Sequence, residues 1–412
     1  MSAAATATVA DDLFFARAAL PAYREDPYPL LAELRAEAPV YRSPLGVWLL
    51  TRHEDVSRAL RDPRVGNRPA ERAERAAAVG GHYRLAAVEI PSPISALDRP
   101  EHGRIRGVLG HAFPPKAVEP LRARLEQLAD ELLDAVEARG EETMDVVADL
   151  ALPFPLTLAC ELVGIPPADY DAIREWGNVL AANGDPDFLT TPEQRARATA
   201  IEREMGTWFA QLVRRRLRQP GGDLLSGFVA GLGDGTRLSF AELVVNGLFF
   251  LVNGYHNTVN LIANGVLALL RHPEELARLR RDPSLIRSAV EELLRYDSPI
   301  HSIARFTREP YEVGGVAIPE REQLMLLVGA AHRDPAAFGD PDRLDLSRDE
   351  ARPLSFGGGP HFCMGASLAR MEGEIAIGAL LRRFPRLELA AEPVRATTFT
   401  LRGLSSLRVA IR

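Results

Sequence analysis

The chain is poor in cysteine and almost devoid of lysine. Cys160 and Cys363 are its only cysteines in 412 residues, too few for the four-ligand cage of an iron–sulfur cluster or for a disulfide framework. Cys160 sits in the apolar run Leu156-Thr157-Leu158-Ala159-Cys160-Glu161-Leu162 and reads as a small buried core thiol. Lys116 is the sole lysine, a codon-usage trait of a GC-rich genome that carries no mechanism. Blocks of one charge sign are absent too: the net charge of −7 is spread over mixed acidic and basic residues, so neither a nucleic-acid footprint nor a polybasic membrane tail is present. No linker or internal repeat divides the sequence, and 46% hydrophobic content suits one large core, so residues 1–412 read as a single domain. No Gly-x-Gly-x-x-Gly follows a strand, which excludes a nicotinamide or flavin domain. Met1 to Phe15 has neither a basic start nor a long apolar stretch and carries Asp11 and Asp12; it reads as neither signal peptide nor anchor, and a cytoplasmic location is expected.

One long run lacks charge altogether. Leu243 to Leu270 contains no Asp, Glu, Lys or Arg and is long enough to span a bilayer. It also carries Asn246, Asn253, His256, Asn257, Asn260 and Asn264, each costly against lipid. A helix apolar all round yet dotted with amides reads better as the buried central helix of a large protein. Ser239 with Glu242 forms a capping box at its start, and a helix from there to about Arg271 is roughly 45 Å long at ~1.5 Å per residue.

Around it the pattern is mainly helical, with small β-sheets near the two ends of the chain. Tyr28 to Ala38 reads as a helix, Val40–Arg42 and Val47–Thr51 as a hairpin, and Thr51 with Glu54 as a capping box opening a helix through Leu60. Residues 64–97, with Gly80-Gly81, Pro91 and Pro93, read as a long irregular loop of the kind that often carries function. Residues 102–218 are helical between Pro and Gly breaks, and 221–237 is a turn-rich connection. A helix ends near Tyr296, strand-like pieces follow, and the last helix covers about Met364 to Phe384.

The chemistry concentrates in Phe356-Gly357-Gly358-Gly359-Pro360-His361-Phe362-Cys363-Met364-Gly365. Three consecutive glycines let the backbone turn tightly and approach a flat ligand. Cys363 then stands at a helix start, where the dipole and free N–H groups favour thiolate over thiol. Taken alone, such a loop is either a plain turn with an inert thiol or the seat of a soft or borderline metal.

The order Phe-Gly-x-Gly-x-His-x-Cys-x-Gly resembles the haem-binding signature of the cytochrome P-450 family at every position, and the likeness extends from Asp26-Pro27-Tyr28 through Ala331-His332-Arg333-Asp334-Pro335 to Leu401-Arg402-Gly403-Leu404. It is strongest with the short soluble bacterial members. The resemblance implies a mostly α, single-domain fold with haem between the long central helix and the cysteine-side helix. It implies haem b as cofactor, with Cys363 as axial ligand and Phe356, Gly357 and Gly365 of the same loop among the cofactor-binding residues. Glu292-Leu293-Leu294-Arg295 matches the family's Glu-x-x-Arg motif, and Phe338-Gly339-Asp340-Pro341-Asp342-Arg343 supplies Arg343 as its expected third member; the trio would brace the cysteine loop. His102 and Arg106, one helical turn apart, with Arg305 and His361, are the implied partners of the two haem propionates. Electrons are expected from a separate ferredoxin and its reductase, with O2 and a small molecule as substrates, no nucleic acid or membrane partner, and a monomer.

The likeness fails at one place. Members carry an acid followed by Thr in the central helix, within a pattern like Ala-Gly-x-Glu-Thr-Thr. The matching stretch here is Asn253-Gly254-Tyr255-His256-Asn257-Thr258. His256 replaces the acid, Asn257 replaces the alcohol, and Thr258 lies about 100° further round the helix. An imidazole can carry protons near neutral pH, whereas an amide can only hydrogen-bond; Gly254 permits a loosened turn there. Either substrate hydroxyls or water replace the alcohol in an ordinary hydroxylation, or the protein performs another haem-thiolate oxidation: coupling or cyclisation, nitration, or desaturation. A non-catalytic haem sensor is the rival from another class, and a peroxide-driven enzyme a further one, although no cation in the central helix suits a fatty-acid carboxylate. Pocket walls are expected from residues 64–97 and 168–190, Phe249, Val252, Asn253, Ile300, His301, Ile303, Thr400 and Leu401, a mixture of apolar surface and amides that fits a mid-sized natural-product intermediate.

Overall fold

The computed structural model describes residues 12–67, 84–85, 88–89, 91–110, 114–182, 185–229, 238–349 and 353–411. Most of the irregular stretch expected at 64–97, including Gly80-Gly81, lies outside these residues, as do 1–11 and residues 230–237 of the connection expected to be turn-rich over 221–237; its described part contains a short helix at Leu224–Val229.

Three helices open the chain: α1 (Leu13–Ala18), α2 (Pro21–Glu25) and α3 (Tyr28–Glu37). The hairpin β1 (Val40–Arg42) and β2 (Val47–Leu50), then α4 (His53–Ala59) and β3 (Val65–Gly66), complete the first part. A helical body follows, with α5 (Glu101–Leu109), α6 (Arg122–Ala138), strand β4 (Thr143–Asp145), α7 (Pro153–Val163), α8 (Tyr170–Ala182), α9 (Pro192–Arg218), the central α10 (Phe240–Arg271) and α11 (Ile286–Tyr296). Strands β5 (Ile303–Thr307) and β6 (Gln323–Leu326), the helix α12 (Ala366–Arg383) and strands β7 (Leu387–Leu389), β8 (Val394–Arg395), β9 (Leu404–Ser406) and β10 (Arg408–Ile411) close it. The larger sheet has the order β1-β2-β6-β5-β3. Its β2–β6 pairing is parallel, and the β1–β2, β5–β6 and β3–β5 pairings are antiparallel. A mainly α chain with small sheets is the expected architecture.

The uncharged run is the helix the sequence foresaw. Ser239 accepts from the N–H of Glu242 at 3.2 Å, and the Glu242 carboxylate accepts from the N–H of Ser239 at 2.8 Å, which closes the capping box. The buried amides are satisfied by neighbouring segments rather than by lipid or water. Asn246 accepts from the Ile94 N–H and donates to the Glu242 carbonyl, both at 2.8 Å. Asn264 donates to the carbonyls of Asp297 and Arg402 and accepts from Arg395 at 3.1 Å. Apolar side chains on the remaining faces, from Leu243 and Val244 to Leu267 and Leu269, are buried in the largest core cluster. Among the described residues no helix is long and apolar enough to cross a membrane. α10 meets α12 closely: a Cβ on Gly373 would lie 3.0 Å from Leu261.

The second expected capping box did not form. α4 begins at His53, its preceding residue Arg52 makes no side-chain cap, and the Thr51 hydroxyl donates to the Pro39 carbonyl at 3.1 Å. The helix start is capped from far away, by Asp334 accepting from the His53 N–H at 2.8 Å.

Candidate functional site

The cysteine loop is built from backbone before any side chain acts. Gly357 (φ 69°) and Gly359 (φ 62°) occupy the left-handed region that only glycine enters without strain, and a Cβ on Gly359 would lie 2.6 Å from the Leu60 carbonyl. The turn folds back so that the Cys363 N–H donates to the Phe356 carbonyl at 2.9 Å. Arg370 of α12 lies 4.4 Å over the Phe356 ring and pairs with Glu291, which fixes the aromatic end of the loop. Cys363 is exposed on the open side of the loop, while protein surrounds the thiol on its others. Burial pushes its pKa up, and the Gly365 N–H, Arg106 and Arg370 oppose that shift. The thiolate expected from the helix dipole is therefore not secured by the protein alone; a coordinating metal deprotonates a thiol outright.

Four basic side chains gather beside this loop. The rings of His102 and His361 lie 4.0 Å apart, and Arg106 donates to the Phe362 carbonyl at 2.7 Å. Arg305, on β5, donates only to its neighbouring carbonyl of Ala304. Burial pulls His361 down to about 3, with His102, Arg305 and Arg106 adding to the shift. His102 is lowered chiefly by burial, then by Arg106. Burial lowers Arg305 to about 10, Asp98 acting against it, and lowers Arg106, with Cys363 acting against it. Asp98 stands 4.0 Å from His361 and is already occupied in accepting from the Asn67 N–H at 3.0 Å. Four basic side chains, two of them imidazoles lowered further by their cationic neighbours, around one carboxylate form a site suited to added anions. Asn67, 3.0 Å from His361 Nε2, joins the group with no signal in the sequence.

These observations test the fit of a haem. Among the described residues no three His, Cys, Asp or Glu side chains come together to hold a metal ion. A metal bound at Cys363 must therefore bring its other ligands with it, as a macrocycle does, and the basic cluster suits the macrocycle's two carboxylates. The residues fit the group.

The bracing trio differs from the expected one. Arg295 and Glu292 pair through two bonds of 2.7 Å, with side chains 1% and 2% exposed. The third guanidinium is Arg348, which donates to Glu292 at 3.2 Å and to the carbonyls of Gly339, Asp340 and Arg343. Arg343 itself is exposed and contributes only its backbone carbonyl, to Arg295 at 3.1 Å. Turns close at Asp340–Arg343 and Asp345–Arg348, and it is the later arginine whose guanidinium reaches Glu292.

In α10 the helix runs unbroken through Gly254, so the expected loosened turn is not formed, but a Cβ there would meet nothing within 4 Å. Asn253 and Gly254 are exposed and Asn257 is half-buried, which places one open face on this stretch. Asn253 donates to the Phe249 carbonyl at 2.9 Å, and Asn257 Oδ1 is buried without a partner. His256 points elsewhere. Its ring stacks on Tyr255 at 4.3 Å, and its Nε2 lies toward α8, where a Cβ on Gly177 would come within 2.9 Å. Burial pulls the imidazole down to about 4, the Gly177 backbone acting the other way. His256 is thus neutral at pH 7, and the expectation that it carries protons near neutrality is corrected. Thr258 turns toward α12 and donates to the buried Glu372 at 3.0 Å. Burial pushes the Glu372 carboxyl up to about 8, Thr258 acting against the shift. Sequence reasoning missed this acid because its spacing in α12 looks like any surface glutamate.

Glu372 leaves a measurable trace in stability. Its proton stays on in the folded chain up to about pH 8, whereas the unfolded carboxyl releases it near its ordinary 4.5. Between those values the unfolded state binds fewer protons, so stability falls as pH rises. Thermal unfolding of wild type and Glu372→Gln near pH 5 and near pH 8 checks this: the variant is expected to lose less stability across that window.

Of the expected pocket residues, Phe249, Val252, Ile300, Ile303, Thr400 and Leu401 are half-buried, and Ile300 bridges Leu401. His301 is the exception. It is 4% exposed, its ring packs edge-on to Tyr23 and Tyr28, and a Cβ on Gly329 would lie 2.4 Å from its Nε2. It backs the wall on the side of the N-terminal helices instead of facing inward.

Comparison with known proteins points the same way. The sequence model described as Cytochrome P450 matches residues 209–400. Cytochrome P450 107B1 of Saccharopolyspora erythraea is 39% identical over 399 residues, covering 94% of this chain and 96% of that one. Cytochrome P450 monooxygenase PikC of Streptomyces venezuelae is 38% identical, covering 94% and 91%. Among solved structures, Mycobacterium smegmatis CYP164A2 with econazole bound superposes with a TM-score of 0.89 at 33% identity, covering 97% of this chain and 99% of that chain.

Proposed function

The chain belongs to the cytochrome P450 family, and from that premise we propose that it is a monooxygenase that hydroxylates a mid-sized natural-product intermediate of the polyketide class, with electrons from a separate ferredoxin and ferredoxin reductase. One observation carries the reading: the glycine loop presents Cys363 with its N–H bonded to the Phe356 carbonyl, beside the basic side chains of His102, Arg106, Arg305 and His361. In that reading Cys363 holds the iron of haem b, and His102, Arg106, Arg305 and His361 hold its carboxylates. Bound haem would supply the activation of dioxygen, with Cys363 as the residue that would hold its iron.

The chain's own residues select and place the substrate. Phe249, Val252, Ile300, Ile303 and Leu401 offer apolar surface, while Asn253 and the unpartnered Asn257 Oδ1 offer hydrogen bonds to a hydroxylated molecule. The similarity of the 6-deoxyerythronolide B hydroxylase of S. erythraea, at 37% identity over 94% of this chain, supports a macrolactone substrate. Glu372 stores a proton at neutral pH, and its bond to Thr258 links that proton to α10 one position beyond the missing alcohol.

Two measurements test this. Haem-loaded protein given a macrolactone aglycone, a surrogate ferredoxin system and labelled O2 is expected to yield product with one labelled oxygen atom. Product without label, or a haem-loaded protein that converts no macrolactone, overturns the reading; the second result favours a sensor. For the proton path, Thr258→Val and Glu372→Gln are expected to slow product formation by on the order of 10²-fold and divert electrons into hydrogen peroxide. His256→Phe is expected to keep rate and coupling near wild type; the reverse pattern would restore the imidazole as the proton carrier.

A further inference from the structure

Asp185 lies just beyond α8, within the stretch 168–190 expected to wall the pocket, and it spends its carboxylate on a distant turn. Its two oxygens accept from the Phe399 N–H at 3.0 and 2.9 Å, and one of them from the Thr400 N–H at 2.7 Å. Thr400 is held from its other end as well: its carbonyl accepts from the His301 N–H at 2.9 Å. The next residue, Leu401, bridges Ile300. A continuous line of bonds thus runs from Asp185 through Thr400 to the segment at 300–303, and its last members are half-buried pocket walls.

The turn has room to move if that line is cut. It forms one side of a cleft of about 160 Å³ whose other side includes Ala18, Tyr23 and Arg24. Phe399 stacks on Tyr23 with ring centroids 6.0 Å apart, a contact that guides the turn but supplies no directional bond. Charge-assisted bonds from an ionised carboxylate to backbone N–H groups are the stronger and more directional restraint.

We propose that Asp185 is a positioning residue that sets the pocket wall formed by residues 300–303 and 398–401, and so determines how firmly a bulky substrate is held. This rests on the haem-binding function proposed above, and the test keeps the two apart. Haem-loaded wild type, Asp185→Ala and Asp185→Asn are mixed with imidazole and with 4-phenylimidazole, and binding is followed by the Soret shift. Imidazole is too small to touch the walls and serves as the control.

Asp185→Ala is expected to release 4-phenylimidazole on the order of tenfold faster, as loss of a charged hydrogen-bond anchor implies. Asp185→Asn, which keeps one acceptor oxygen, falls between it and wild type, and imidazole changes little in either. Equal changes for both ligands, or none, overturn the proposal. If Asp185→Ala yields no folded protein, Asp185→Asn decides by the same ratio. Amide hydrogen exchange of Phe399 and Thr400 in the chain without haem gives a second readout: it is expected to quicken in Asp185→Asn, and unchanged protection overturns the proposal. A wild-type chain that develops no Soret band counts against the haem reading and leaves that exchange measurement standing.

Discussion

Cys363→Ala protein, reduced under carbon monoxide, is expected to lack the red-shifted Soret band for which cytochrome P450s are named, while wild type shows it. The band requires a thiolate on the iron, and the fold offers no substitute. Cys160 is fully buried in the core between helices, and burial pushes its thiol up to about 12. Among the described residues no cluster of His, Asp and Glu could take over as a metal site. The basic cluster of His102, Arg106, Arg305 and His361 is untouched by the substitution, so some haem should remain through its carboxylates, and haem content measured beside the spectrum separates loss of ligation from loss of cofactor. A normal band at normal haem content in the variant would remove Cys363 from the axial position.

The second large effect lies away from the chemistry. Arg295→Ala deletes a side chain that donates to Glu292 and to the carbonyls of His332, Pro341 and Arg343, and it leaves Glu292 buried at 3% exposure. Breaking a buried pair from one side costs about 3–5 kcal/mol, a large fraction of the stability of a whole domain, and Arg348, which still donates to Glu292, offsets only part of it. The expected product is unfolded or haem-free protein, read by thermal unfolding and haem content. Arg348→Ala removes the second donor to Glu292 and three carbonyl contacts, and is expected to weaken the fold in the same direction by less. Arg343→Ala is expected to behave as wild type, since alanine keeps the backbone carbonyl that Arg295 uses. Equal damage from Arg343→Ala and none from Arg348→Ala would reinstate the arginine that the sequence pattern favoured.

That contrast shows where the sequence could be read and where it could not. Glu292 and Arg295 are one helical turn apart, so their pairing follows from local geometry. The third partner, Arg348, arrives 56 residues after Glu292, and spacing does not say which of two nearby arginines the chain brings round. The two capping boxes make the same point. Ser239 and Glu242 close their box although Arg104 also donates to Glu242, whereas the Thr51 hydroxyl is taken by Pro39 and a carboxylate from Asp334 caps the helix instead. The central helix was legible as an element, with its start and its burial, but His256 was given a proton-carrying role that its surroundings on α8 remove.

By itself, then, the sequence determined the helical character of the chain, the extent of α10 and the loop that presents Cys363, because periodicity, capping residues and glycine conformations act over a few neighbouring residues. Only the tertiary structure decided that Arg348 and not Arg343 closes the buried trio, that Glu372 stands behind Thr258, that His256 turns toward α8, and that Asp185 holds the turn at 399–400. Each of these depends on which segments pack together across long stretches of chain, and burial sets protonation and pairing through contacts that no local pattern encodes.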